Sequence, residues 1–551
     1  MPRNAARLLV YCLLEQGCDR LFTVPGESFL PILDALYDCP SIAAVTCRHE
    51  GGAAFMACAD GALTGRPGVA IVTRGPGATN AAIGVHVAFQ DSQPMILFVG
   101  DVARGMRDRE GFQEIDFPAF FAPVAKWAAR IDDAARIPEY VARAYAVAIS
   151  GRPGPVVLAL PEDMLHEAGV PGEPRPRVQR PMQAPSDDAI ASMMALIGQA
   201  SAPIAIVGGA GWDGKARDHF TRFAVRLGLP AATAFRRQDA LSPALPVYAG
   251  NLGHGANPKL LNRIRSSDLV IAVGARLGEA TTDGYTLITP EHPGQQLIHV
   301  HPDPAELNRV YRADLPICAG VAEFAEVAAL AAENSGTRFD AGGEAHAEWL
   351  DWSSPRQGTF TLDLAGCLRL AREELPADTI VCNGAGNFTG WWHRYWPYAG
   401  YPSQLAPTAG AMGYGVPAAV AAALRHPDRT VLAVAGDGDF LMTAQELATA
   451  AQHGCDLLVM VIDNGSYGTI RMHQERAYPG RVASTDLANP DFAAFARSFG
   501  AWSRHARTTD EFGAALREAV GRQGLRLIHC VVEAEQLSAA GATISGLRAS
   551  P

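Results

Sequence analysis

Lysine is nearly missing from this 551-residue chain, which holds only Lys126, Lys215 and Lys259. None lies in a site-like motif, which weighs against Schiff-base chemistry, where a lysine amine must attack a carbonyl. The ten cysteines run from Cys12 to Cys530 without a C-x-x-C pair. In a chain this long they read as reduced, mostly buried thiols of a cytoplasmic protein, with no disulfide framework. No apolar run is long enough to span a membrane. Residues 1–17 read as a short amphipathic helix ending at Gly17; Glu15 interrupts the apolar part and no cleavage site follows, so it is no signal peptide. Net positive charge is lacking too. At −11 the chain gives no electrostatic support to a nucleic-acid partner.

What is present is strand–helix alternation in three blocks. At roughly 150 residues per domain the length suggests about three domains, and the alternation predicts an α/β class built of three doubly wound parallel sheets. The blocks are residues 1–168, 186–335 and 356–535. A proline- and arginine-rich connector, 169–185, follows the first, and a loose tail, 536–551, closes the chain.

The most informative stretch is Gly436 to Thr469. An apolar run, 430–435, enters Gly436-Asp437-Gly438. Thr443 and Glu446 then stand at capping-box spacing, and Gly454 is placed to end a helix. A second apolar run, 456–462, enters Asp463-Asn464-Gly465-Ser466-Tyr467-Gly468-Thr469. This is a β-α-β unit whose Asp437 and Asn464 fall at the ends of neighbouring parallel strands, the edge where open α/β sheets bind ligands. A carboxylate and a carboxamide supply hard oxygens, and Mg²⁺ takes one or two such ligands plus substrate phosphates. The pair therefore points to Mg²⁺ gripping a diphosphate, with Gly436 and Gly438 allowing close backbone approach.

This stretch resembles the cofactor motif of the thiamine-diphosphate-dependent enzymes, and the whole chain is similar to their acetolactate (acetohydroxyacid) synthase branch. The resemblance implies that Asp437, Asn464 and the backbone carbonyl of Ser466 coordinate Mg²⁺. It implies a pyrimidine-binding first domain, a diphosphate-binding third domain, and a Rossmann-like central domain of the type that holds FAD. In the first block, Arg48-His49-Glu50-Gly51-Gly52 resembles the segment whose glutamate hydrogen-bonds the cofactor's pyrimidine. On its own residues Glu50 reads as a helix N-terminal acid that complements the dipole. The Pro25-Gly26-Glu27 turn and the segment Thr73 to Asn80, with Pro76, would meet the pyrimidine end, although that segment alone reads as an anion loop. Phe112 and Gln113 resemble residues near the reacting carbons.

In the third block Asn387 and Phe388 resemble a diphosphate-contacting turn. Gly410 and Met412 resemble the segment whose bulky apolar residue bends the cofactor. Gly436, Gly438, Asp439, Tyr467, Gly468 and Thr469 complete the expected cofactor contacts. In the central block Gly253-His254-Gly255 and Gly274-Ala275-Arg276 resemble FAD contact segments, but His301 replaces an expected acidic residue and a further aspartate is missing near Gly320. Flavin and a differently occupied domain both remain open. His473 stands where anabolic relatives carry a tryptophan that favours 2-oxobutyrate.

One absence bears on the reaction. Simple 2-oxo-acid decarboxylases of this superfamily carry active-site histidines after or just before the fourth strand. Here neither 101–113 nor 90–94 contains one. The expectation is a carboligase that decarboxylates pyruvate and transfers the two-carbon unit to a second 2-oxo acid or an aldehyde. The alternative is a non-oxidative decarboxylase. The resemblance also implies a homodimer or homotetramer with sites shared between subunits.

Overall fold

The computed structural model describes residues 4–181, 183–291, 293–356 and 358–549. They form three six-stranded sheets, every pairing parallel. The first holds β1 (Arg20–Thr23), β2 (Ala43–Thr46), β3 (Gly68–Val72), β4 (Met95–Asp101), β5 (Trp127–Arg130) and β6 (Pro155–Pro161), in the order β2-β1-β3-β4-β6-β5. The second holds β7 (Pro203–Val207), β8 (Ala231–Thr233), β9 (Tyr248–Asn251), β10 (Leu269–Val273), β11 (Gln296–His301) and β12 (Leu315–Cys318), ordered β12-β11-β10-β7-β8-β9. The third holds β13 (Ile380–Asn383), β14 (Gln404–Leu405), β15 (Val431–Gly436), β16 (Leu457–Asp463), β17 (Trp502–Ala506) and β18 (Leu525–Val531), ordered β14-β13-β15-β16-β18-β17. The first and third sheets thus share one topology. The middle sheet has the strand order of dinucleotide-binding folds.

Parallel strands covered on both faces read as continuous apolar runs. β3, β4 and β6 are buried at every position. In β7, Ala205 and Val207 enter one core while Ile204 and Ile206 enter the core on the opposite face, as the two-residue strand period requires. Each large aliphatic side chain so buried contributes about 1.5–3 kcal/mol.

The chain packs into two compact units. One joins the residues up to Pro181 with Pro407–Pro427 and Thr443–Cys455; the other holds the remainder. In the first, the helix Glu50–Thr64 packs on Gly75–Asp91 and on Gly415–Arg425. The contact with Gly75–Asp91 is close because a Cβ on Gly84 would lie 2.3 Å from that of Ala54.

Two expectations are corrected. Thr443 and Glu446 do not form a capping box. The stretch after Asp437 is broken into a short helix, Asp437–Leu441, a 3₁₀ turn, Ala444–Glu446, and a second helix, Leu447–Gln452. The Thr443 hydroxyl donates to the Gly413 carbonyl at 2.7 Å, and the Glu446 carboxylate serves residues 48 and 49. Gly454 does follow the helix in a left-handed conformation, φ +63°. Between the second and third blocks lies the helix Ala341–Trp352, whose Trp349 packs edge-on against Tyr248 with ring centroids 4.9 Å apart.

Nor is the tail loose. Leu537 is buried and the helix Ile544–Ala549 rests on the helix Gly468–Ala477. Arg548 donates Nε and Nη2 to the fully enclosed Glu475 carboxylate at 2.9 and 2.7 Å, and Arg471 donates from within the helix at 2.8 Å. Replacing Arg548 by alanine should release this segment alone. Hydrogen exchange should then rise at residues 544–549 while β15, β16 and β18 keep their protection; unchanged exchange in the tail would contradict the latch.

Candidate active site

In the first unit the polypeptide leaves β2, crosses Cys47-Arg48-His49 and starts a helix at Glu50. His49 caps this helix, its Nδ1 accepting the Gly51 N–H at 3.0 Å. Glu50 is half-buried, and its Oε2 accepts the Asn80 amide at 2.9 Å. Beneath it lies a carboxylate that sequence reading assigned elsewhere. Glu446 is fully buried and accepts the N–H of Arg48 at 3.1 Å, the N–H of His49 at 3.0 Å and the Thr449 hydroxyl at 2.6 Å. Burial pushes its pKa up, while these donors pull it back. A Cβ on Gly52 would fall 2.5 Å from its Oε1, so glycine alone leaves room for it. The turn that leads into Glu50 is therefore clamped.

The neighbouring turns are similarly tight. A Cβ on Gly26 would meet that of Thr73 at 2.5 Å, and the Thr73 hydroxyl lies 2.9 Å from that of Ser28. Pro76 is exposed in the first turn of its helix. Gln113 has φ +64° and its carbonyl accepts the Gly75 N–H at 3.0 Å; the Phe112 side chain stands 72% exposed. Asp91 holds the approach to Met412. Its carboxylate accepts the Thr408 hydroxyl at 2.6 Å and the N–H groups of Thr408 and Ala409 at 3.1 and 3.0 Å. Gly410 follows at φ +69°, then the half-buried Met412.

In the second unit Asp437 sits at the C-terminal end of β15. Its Oδ1 accepts the Gly438 N–H at 2.9 Å; its Oδ2 accepts the Ser466 N–H at 3.2 Å and the Asn489 amide at 2.8 Å. The Ser466 N–H also reaches Asn464 Oδ1 at 3.1 Å. Asp437, Asn464 and Ser466 are thus brought together at the edges of β15 and β16. Asn489 bridges on to Asp463 at 2.8 Å, whose other oxygen lies 2.8 Å from His529 Nε2. Burial raises the Asp437 pKa to about 6, and the nearby Asp463 carboxylate pushes the same way. Ser466 Oγ and Asn489 Oδ1 are buried without a partner. A desolvated carboxylate, a carboxamide oxygen and unpartnered oxygens make a donor set that fits Mg²⁺.

Glycines shape the surrounding cradle. A Cβ would meet the Phe388 ring 3.0 Å from Gly436, the Tyr467 ring 2.4 Å from Gly438, and Asn464 Nδ2 2.7 Å from Gly468. Asn387 accepts the Thr469 hydroxyl at 3.0 Å and donates to the Gly468 carbonyl at 3.4 Å. Buried Asp439 accepts the Ala385 N–H at 3.3 Å, so it holds the turn after β13. His473 is exposed on the helix that begins at Gly468.

In the central sheet the ends of β7 and β10 meet where the strand order reverses. Gly209, φ +74°, would place a Cβ 2.0 Å from the Gly274 carbonyl. His254 packs edge-on against Phe235 at 5.3 Å. His301 is buried; desolvation and the adjacent His299 lower its pKa to about 4, so it is neutral at pH 7. Lys126, by contrast, is structural, donating to the carbonyls of Val147 and Ser150 at 2.5 and 2.7 Å.

Three family models match. The thiamine pyrophosphate enzyme N-terminal TPP binding domain matches residues 3–120, the central domain 190–327 and the C-terminal TPP binding domain 384–530. The acetolactate synthase large subunit of Corynebacterium glutamicum is 31% identical over 94% of this chain and 84% of its own length. That of Parasynechococcus marenigrum is 32% identical over 90% and 82%, and the isozyme 2 large subunit of Escherichia coli K12 is 30% identical over 96% of each.

The chain belongs to the acetolactate synthase branch of the thiamine pyrophosphate enzymes.

In this thiamine pyrophosphate enzyme Glu446, Asp91, Asn489, Asp463 and His529 escaped sequence reading. Glu446 was hidden by its spacing from Thr443, and Asn489 lies 25 residues beyond Asn464 with no motif around it. Glu446→Gln tests the clamp, because it keeps the shape but turns one acceptor into a donor facing N–H or hydroxyl donors. A hydrogen bond to a charged group contributes about 1.5–3 kcal/mol, so kcat should fall roughly ten- to hundredfold with little change in KM. An unaltered kcat in steady-state assays would refute the positioning role.

Proposed function

We propose that this chain is an acetolactate synthase-like carboligase that uses pyruvate as donor. Asp437, Asn464 and the Ser466 carbonyl would hold Mg²⁺ against the cofactor diphosphate, within the glycine cradle of Gly436, Gly438 and Gly468. The observation that carries this reading is the buried Asp437 carboxylate meeting Ser466 beside Asn464 at one sheet edge. When bound, thiamine diphosphate supplies a nucleophilic carbon and an electron sink for decarboxylation.

The protein's own residues then bind, orient and move protons. Glu50, held by Asn80 and by the Glu446 clamp on the turn that leads into it, would keep a proton at the pyrimidine N1′ position. Met412, at the end of a segment tied to Asp91, would bend the cofactor, a positioning effect. Gln113 and Phe112 would face the reacting carbons, and Gly26, Thr73, Pro76 and Asn80 would surround the pyrimidine. Asn387, Phe388, Asp439, Tyr467 and Thr469 would line the diphosphate end.

The histidine-free segments 90–94 and 101–113 favour transfer to a second carbonyl over simple protonation. An exposed His473, where anabolic relatives carry a tryptophan, leaves the acceptor broad: a second 2-oxo acid or an aldehyde. The exposure of Phe112 supports a homodimer or homotetramer in which a second subunit covers it. The dinucleotide-type strand order of the central sheet supports an FAD-type domain. Neutral His301 supplies no carboxylate at the position where relatives carry an acidic residue, so flavin would be held without that charge. A cytoplasmic site agrees with ten free thiols, nine of them buried. Among the described residues no helix is long and apolar enough to cross a membrane. The proposed domain limits are 1–168, 186–335 and 356–535.

Mass spectrometry of products from pyruvate, with and without added 2-oxobutyrate or aldehyde, tests the reading. Acetolactate or a mixed acyloin is expected, and acetaldehyde alone would overturn it. The visible spectrum of the same preparation should show flavin bands if the central domain is filled.

A further inference from the structure

The outer edge of the third sheet carries a group of side chains that the proposed reaction does not use. β17 and β18 are parallel neighbours, and His505 and His529 stand at the same register. Residues so paired point to the same face, and the two imidazole centroids lie 5.0 Å apart. Asp491, which caps the helix Phe492–Arg497, completes the group: one ligand atom from each of the three lies within 4.8 Å of the others.

Each imidazole pairs its Nε2 with a carboxylate and leaves a buried Nδ1 without a partner. His529 is only 5% exposed; its Nε2 lies 2.8 Å from Asp463 Oδ2, and its Nδ1 is buried with no partner. An unpaired buried polar nitrogen is costly. His505 Nε2 lies 3.1 Å from Asp491 Oδ1, and both side chains are partly open to solvent. A metal-bound histidine characteristically gives its other ring nitrogen to a carboxylate, which is how His529 relates to Asp463.

We propose that His529 Nδ1, His505 Nε2 and Asp491 bind a transition-metal ion of the Zn²⁺ class. Zinc takes nitrogen and carboxylate ligands at about 2.0–2.2 Å in a tetrahedron, whose ligand atoms sit roughly 3.3 Å apart; the His505–Asp491 separation already matches. Solvent supplies the fourth position. Two imidazoles select Zn²⁺ or Co²⁺ over Mg²⁺, which prefers oxygen. The site is therefore chemically separate from the oxygen site at Asp437. It is joined to it by hydrogen bonds, since Asp463 connects through Asn489 to Asp437 at 2.8 Å each. A metal on Nδ1 fixes the proton on Nε2 and makes His529 a donor to Asp463.

The test uses the full chain loaded with excess Mg²⁺ and thiamine diphosphate, then dialysed against Zn²⁺ or Co²⁺. Elemental analysis should find one zinc per chain above the level retained by Asp491→Asn and His505→Gln. Bound Co²⁺ should give the visible absorption of a tetrahedral centre, and both variants should weaken its binding by about tenfold or more. Asp491 is part-exposed, so Asp491→Asn stays informative should His505→Gln fail to fold. Equal zinc content in wild type and variants, or no Co²⁺ absorption that the variants abolish, would overturn the proposal.

Discussion

Asp437 is a carboxylate buried at the end of β15, and much of the third domain is arranged around it. Left alone it is an expensive group, as its raised pKa shows. The protein surrounds it with donors from Gly438, Ser466 and Asn489 but leaves oxygens of Ser466 and Asn489 unsatisfied nearby. The small hard cation proposed for this site would offset that imbalance by stabilising the charge. The glycines at 436, 438 and 468 follow from the same demand: backbone, ring and amide stand too close there for any Cβ.

A comparable device serves Glu50. A carboxyl group with the role proposed for Glu50 needs fixed geometry, yet Glu50 sits at a helix start, where helices fray. Glu446 removes that freedom by taking the N–H groups of the two preceding residues, and Gly52 makes the space. Asp91 does for the Met412 segment what Glu446 does for Glu50. In each case a carboxylate outside the proposed chemistry holds main chain that carries a residue proposed to take part in it.

Much of this was legible in the sequence. Runs such as 269–273 and 95–99 are unbroken and apolar, bounded by turn or polar residues, so their class and place were plain. Asp437 and Asn464 were legible because a β-α-β unit fixes both spacing and sheet edge, whereas Ser466 entered only through the family resemblance. The partners of Glu446, Asp91 and Asn489 were not, since each reaches across long stretches of sequence and local pattern carries no trace of such contacts. Thr443 and Glu446 show the hazard: the spacing obeyed a local rule while tertiary bonds to Gly413 and residues 48–49 took both side chains. The tail misled for a related reason. Its polar, glycine-containing composition looks unstructured, but Arg548 finds Glu475 73 residues away.

The central claim is that the buried Asp437 exists to bind a divalent cation that in turn holds thiamine diphosphate. Calorimetric titration of thiamine diphosphate into metal-stripped protein, with and without Mg²⁺ and in parallel with Asp437→Ala, tests it most directly. The account predicts binding that requires Mg²⁺ and is lost in the variant. Equal affinity without the metal, or undiminished affinity in Asp437→Ala, would contradict it.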